Sequence, residues 1–99
     1  MPKAKPLAKR QANAVRLMLK NTDELKLEVR KDTETERARH YMFDVFYVNV
    51  TGTLTFVIED GKITIASLNL SNGSIYSLQN DANIRKLCEY ALKTLERQS

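Results

Sequence analysis

The chain has 99 residues, 42% of them hydrophobic and 28% charged, and a net charge of +4. That length suits one domain with a modest core, and the composition excludes disordered and fibrous classes. A single cysteine, Cys88, excludes an internal disulfide and predicts a reducing, cytoplasmic setting, while the short apolar runs and the lack of a charged-then-apolar leader predict neither a membrane span nor a secretory signal.

Residues 1–5 read as a short, disordered basic tail, and residues 6–99 as a single α+β domain. Pro6 suits the first turn of a helix, where its missing N–H is not needed. The spacing predicts a helix from there to about Lys20. Leu7, Ala8, Ala12, Ala14, Val15, Met18 and Leu19 fall on one side, with Lys9, Asn13, Arg16 and Lys20 opposite. Asn21 is a C-terminal stop signal. "LKLEV" then alternates strictly, with Leu25, Leu27 and Val29 facing one way, which predicts a half-buried strand. "KDTETERAR" has no apolar residue but alanine and reads as a solvated loop or hairpin tip.

The next stretch, "YMFDVFYVNV", is apolar on both faces for most of its length and carries one acid, Asp44. Turns on either side of the following strand set an expected register. Asp60-Gly61 is a two-residue hairpin signal that pairs Ile58 with Ile63. Thr51-Gly52-Thr53 reads as a three-residue loop that pairs Val50 with Leu54 and Phe46 with Ile58. Together they predict a core face of Phe46, Val48, Val50, Leu54, Phe56, Ile58, Ile63 and Ile65. They leave an apolar patch of Phe43, Val45, Tyr47 and Val57 on the other face, and Asp44 as a wet residue at the sheet's margin. A bulge is expected after Ala66, where the apolar parity changes. Asn72-Gly73 is a further hairpin signal, leading to a short "IYSL" segment. Last comes a helix capped by Asn80 or Asp81. Its apolar face is Ile84, Leu87, Cys88, Ala91, Leu92 and Leu95, and Lys86, Tyr90, Lys93 and Arg97 lie opposite. The expected fold is α+β: an antiparallel four- to five-stranded meander flanked by an N-terminal and a C-terminal helix, in the order α-β-β-β-β-(β)-α.

Catalytic chemistry finds little support in these residues, and the expectation is a non-enzymatic protein with no cofactor. His40 and Asp44 lie four positions apart on one strand, about 13 Å, too far for a dyad. One histidine and one cysteine cannot build a tetrahedral metal site, and the alternating Asp32, Glu34 and Glu36 lack the closing glutamate of a calcium loop. Gly52, Gly61 and Gly73 are turn glycines in this reading, not a phosphate cradle. Cys88, on an apolar helix face, reads as a buried hydrophobe.

Surface chemistry remains. Residues 1–20 hold Lys3, Lys5, Lys9, Arg10, Arg16 and Lys20 with no acid, whereas the rest of the chain is close to balanced. Such a cluster suits the phosphates of DNA or RNA. This makes a small accessory protein that binds nucleic acid through a basic N-terminal arm and helix the leading expectation. The alternative is a protein-interaction module, a homodimer or partner-binding protein, that uses the patch of Phe43, Val45, Tyr47 and Val57. A helix of the same chain or a second molecule is the expected cover for that patch, ahead of stacked bases.

Overall fold

A computed structural model describes residues 14–98 of the chain. In chain order the elements are α1 (Ala14–Lys20), a 3-10 turn (Thr22–Glu24), β1 (Leu25–Glu34), β2 (Ala38–Tyr47), β3 (Val50–Glu59), β4 (Lys62–Leu70), β5 (Ile75–Ser77) and α2 (Asn83–Gln98). The five strands form one antiparallel sheet in sequential order, and α1 and α2 pack on one face of it, so the α+β meander is present with its fifth strand. The basic tail expected over residues 1–5, and the first part of the helix expected from Pro6, lie outside the described residues.

Local signals explain most boundaries. The Asn21 backbone N–H and side-chain amide both donate to the Leu17 carbonyl, at 3.1 and 2.8 Å, and so close the end of α1. Asp60 and Gly61 both have positive φ, 50° and 75°, as a two-residue hairpin turn with matching twist requires. The Asp81 carboxylate accepts the Asn83 N–H at 2.9 Å at the head of α2. The charged "KDTETERAR" stretch is the far end of a long hairpin: β1 runs to Glu34, β2 starts at Ala38, and the Thr35 hydroxyl and N–H hold the Ala38 carbonyl at 3.1 and 2.8 Å.

The facing of β2 is the reverse of the expected one. Tyr47 pairs with Val50, so the chain turns at Val48-Asn49, and Gly52 lies inside β3 opposite Val45. The true register therefore differs from the expected one by an odd number of residues, and an odd slip moves every side chain of the strand to the other face. Tyr41, Phe43, Val45 and Tyr47 are buried, and Phe43 forms a triangle of stacked rings with Tyr41 and Phe56, with centroids 5.1 to 6.0 Å apart. Phe46 and Val48, expected in the core, are exposed. β3 faces as expected, with Val50, Leu54 and Phe56 buried.

A second correction follows on β4. The bulge lies at Thr64, before Ala66 rather than after it: Ile58 pairs with Ile63, but Val57 pairs with Ile65. The inserted residue returns Ala66, Leu68 and Leu70 to the core and turns Ile65 out to solvent. The Asn72-Gly73 connection is also wider than a two-residue turn. Only Gly73 has positive φ, and the Asn72 side-chain oxygen accepts the Ser74 N–H at 3.0 Å in a local side-chain turn. On α2, Ile84, Leu87, Cys88 and Ala91 are buried as expected, while Tyr90 packs against the core instead of facing away from it.

Both helices belong to the same hydrophobic cluster as Leu25, Leu27, Phe43, Leu54 and Leu68. α2 touches β1 and β4 as well as α1, so it lies across the sheet. The shortest dimension, 19 Å, fits a sheet with a single helix layer. Among the described residues, no helix lies over the opposite face of the sheet.

Candidate functional site

The uncovered face can be read row by row from the strand register. Lys26, Phe46 and Thr51 are neighbours across β1, β2 and β3. The next row is Glu28, Asp44, Thr53, Asn69 and Ile75, from β1 to β5. Then come Lys31, Met42, Thr55, Ser67 and Ser77, followed by Thr33, His40, Val57 and Ile65. Hydroxyl and amide side chains thus occupy the middle of the face, while Phe46, Val48, Ile65 and Ile75 stand exposed around its border.

Charge on this face is organised in pairs. The Arg30 guanidinium holds the Asp44 carboxylate with two bonds, Nη2 to Oδ1 at 2.8 Å and Nε to Oδ2 at 3.3 Å. Lys26 Nζ lies 3.2 Å from Glu28 Oε1. Asp44 is therefore not a marginal residue opposite the Asp60-Gly61 turn. It sits on the second strand, between Glu28 and Thr53, beside a depression of about 470 Å3 whose wall includes Arg30, Phe46, Thr51, Thr53 and Asn69.

The helix face of the far hairpin carries a third pair. Arg39 donates from Nε and Nη2 to the two Asp32 oxygens, at 2.8 and 2.9 Å, and its guanidinium lies 5.3 Å from the centre of the Tyr41 ring. These bonds hold the Asp32 carboxyl below the usual carboxylate range. Burial pushes the Tyr41 and Tyr47 hydroxyls up from their ordinary values, and it pushes the Cys88 thiol up to about 12. A thiol held protonated and enclosed by the core is a poor nucleophile. His40 and Asp44 share the uncovered face but are separated by Met42 along β2. Among the described residues no group of three His, Cys, Asp or Glu side chains could hold a metal ion, and no helix is long and apolar enough to cross a membrane.

The residues singled out in the sequence separate into three sets. Arg16 and Lys20 are exposed on α1, one turn apart. Lys3, Lys5, Lys9 and Arg10 lie outside the described residues. The expected patch does not exist as a surface: Phe43, Val45 and Tyr47 are each 1% exposed beneath the helices, and Val57 is half-buried on the other face. Thr53 and Thr55 take the outer face that the expected facing of β3 gives them, and the residue of this surface that sequence reasoning missed is Phe46, expected in the core. Thr51 joins them because Gly52 lies inside β3, so the period-two threonines of "TGTLT" belong to one strand.

Comparison with known proteins finds no matching family model, no matching curated protein and no matching solved structure.

Proposed function

We propose that the protein is a small, non-enzymatic nucleic-acid-binding protein whose N-terminal basic segment and α1 contact phosphates. The observation that carries this reading is the charge of residues 1–20: six bases and no acid, with Arg16 and Lys20 exposed on the same side of α1. Cations clustered without interspersed acids displace counterions from a polyanion, whereas mixed-sign surfaces mainly keep a protein soluble. The absence of enzymatic activity is part of the proposal; it draws support from the enclosed Cys88 thiol and the distance between His40 and Asp44. Replacing Arg16 and Lys20 together by glutamate should weaken binding to any DNA or RNA oligonucleotide by more than ten-fold, measured by fluorescence anisotropy at low salt. Unchanged affinity in a folded variant would remove α1 from the interface.

The alternative, a protein-interaction module, is favoured by one observation, the uncovered sheet face with Phe46, Ile65 and Ile75 exposed at its border. It would use these residues rather than Phe43, Val45 and Tyr47. On that reading the solution mass exceeds that of one chain, and Ile65→Ser lowers it.

A further inference from the structure

The depression on the uncovered face combines three kinds of group at one end of the sheet. Phe46 supplies an aromatic ring that is 39% exposed. Thr51, Thr53 and Asn69 supply hydroxyl and amide groups. Arg30 and Asp44 stand at the wall, fixed by their own pair. From this combination we infer that the depression accepts an unpaired base of a single-stranded nucleic acid, stacked on Phe46 with its edge toward Thr53 and Asn69. The inference rests on the nucleic-acid reading above and adds to it a strand preference that the basic segment alone would not give.

Two arguments favour this occupant. The first is polarity. Thr53 lies between Asp44 and Asn69, and Thr55 between Met42 and Ser67, so the centre of the face is hydroxyl and amide. Asn69 Nδ2 donates to Ser67 Oγ at 3.2 Å, but a second copy of the chain laid dry on this face would bury the Thr53 and Thr55 hydroxyls without assured partners, at a substantial cost for each. A base edge offers both donors and acceptors to them, and its flat π-face matches an exposed aromatic ring. The second is charge. Both carboxylates beside the depression already have a cation: Asp44 has Arg30 and Glu28 has Lys26. With Lys31 on the next row, three cations face two carboxylates, so a backbone phosphate is not repelled. Its volume of about 470 Å3 lies in the ordinary range of ligand sites. A duplex keeps its bases stacked and paired, so it cannot present one to this surface.

The test uses the full chain and labelled oligonucleotides of equal length: single-stranded DNA, single-stranded RNA and duplex DNA, titrated by fluorescence anisotropy at one low salt concentration. The expected result is single-strand binding at least about ten-fold tighter than duplex binding. Phe46→Ala should weaken the single-strand complexes by about ten-fold or more and leave duplex affinity unchanged. Thr53→Val, which removes one hydroxyl and keeps the shape, should weaken them by a smaller factor. Phe46 and Thr53 are outside the core, and circular dichroism confirms that each variant is folded. The DNA and RNA arms identify which source of unpaired base is preferred, and either preference supports the proposal. Equal affinity for single strand and duplex, or a folded Phe46→Ala variant that binds as the parent does, overturns the base site while leaving the basic-segment reading in place. A Phe46→Ala variant whose main change is a lower solution mass assigns the face to a second copy and also overturns it. No binding to any of the three oligonucleotides overturns both readings.

Discussion

Val48 has φ 47°, a conformation that a β-branched side chain adopts only under strain. The side chain is exposed, so it gains little from burial to offset that cost. Val48→Gly should therefore stabilise the protein by about 1 kcal/mol, read as a raised midpoint in thermal or urea unfolding. Gly52 is the opposite case: a Cβ there would collide with the Asn69 carbonyl oxygen and lie 2.8 Å from Leu70 Cδ2, so glycine is kept for close approach and not for turning. The ion pair of Asp32 and Arg39 has a definite pH signature. Arg39 lowers the folded-state pKa of Asp32, so the pair stabilises the fold above the carboxyl's unfolded value, and this contribution is lost as pH falls through the folded value. Asp32→Asn should be slightly less stable than the parent at neutral pH, with the gap closing below about pH 4. Thermal melts across pH measure it, and a gap that persists in strong acid would deny the pair this role.

For the strands, the decisive quantity is the register between β2 and β3. Phe43→Ala should cost about 3–5 kcal/mol, because it empties one corner of the buried ring cluster with Tyr41 and Phe56, whereas Phe46→Ala should cost less than about 1 kcal/mol. Urea unfolding of the two variants separates them; equal losses would contradict the facing of β2. These two phenylalanines also show where the sequence was legible and where it was not. The α2 stripe, the Asp60-Gly61 turn and the Asn21 stop are local signals, each readable from a few residues whose chemistry permits one arrangement. The facing of β2 is not local. Phe43, Val45 and Tyr47 are as apolar as Phe46, Val48 and Val50, so alternation could not choose between them. The choice fell to the turn, and Val48-Asn49 lacks the glycine that marks most two-residue hairpins, while Thr51-Gly52-Thr53 has one. The bulge on β4 was legible from the change of apolar parity, but its place at Thr64 was not, since an inserted polar residue in a strand has no distinctive composition. The candidate site inherited both errors. Exchanging the faces of β2 placed three core residues in the expected patch and put Phe46, which lines the depression, in the expected core.

On the scale of the whole molecule, one layer of helices covers one side of a sheet whose other side is polar at its centre. The long edge strand β1 carries Lys26, Glu28, Arg30, Lys31, Asp32 and Glu34 and is interrupted by a bulge at Arg30, features that discourage pairing with the edge of another sheet. Positive charge is concentrated in residues 1–20, whose described part, α1, lies in the helix layer. On the proposed function, the basic segment holds the phosphates of a nucleic acid. The salt dependence of binding to a single-stranded oligonucleotide tests that claim most directly. The expected result is measurable affinity at about 50 mM salt that falls by at least ten-fold by about 200 mM, with log affinity linear in log salt. An intact, folded protein that ignores the oligonucleotide at the lower salt, or binds it with an affinity indifferent to salt, would contradict it.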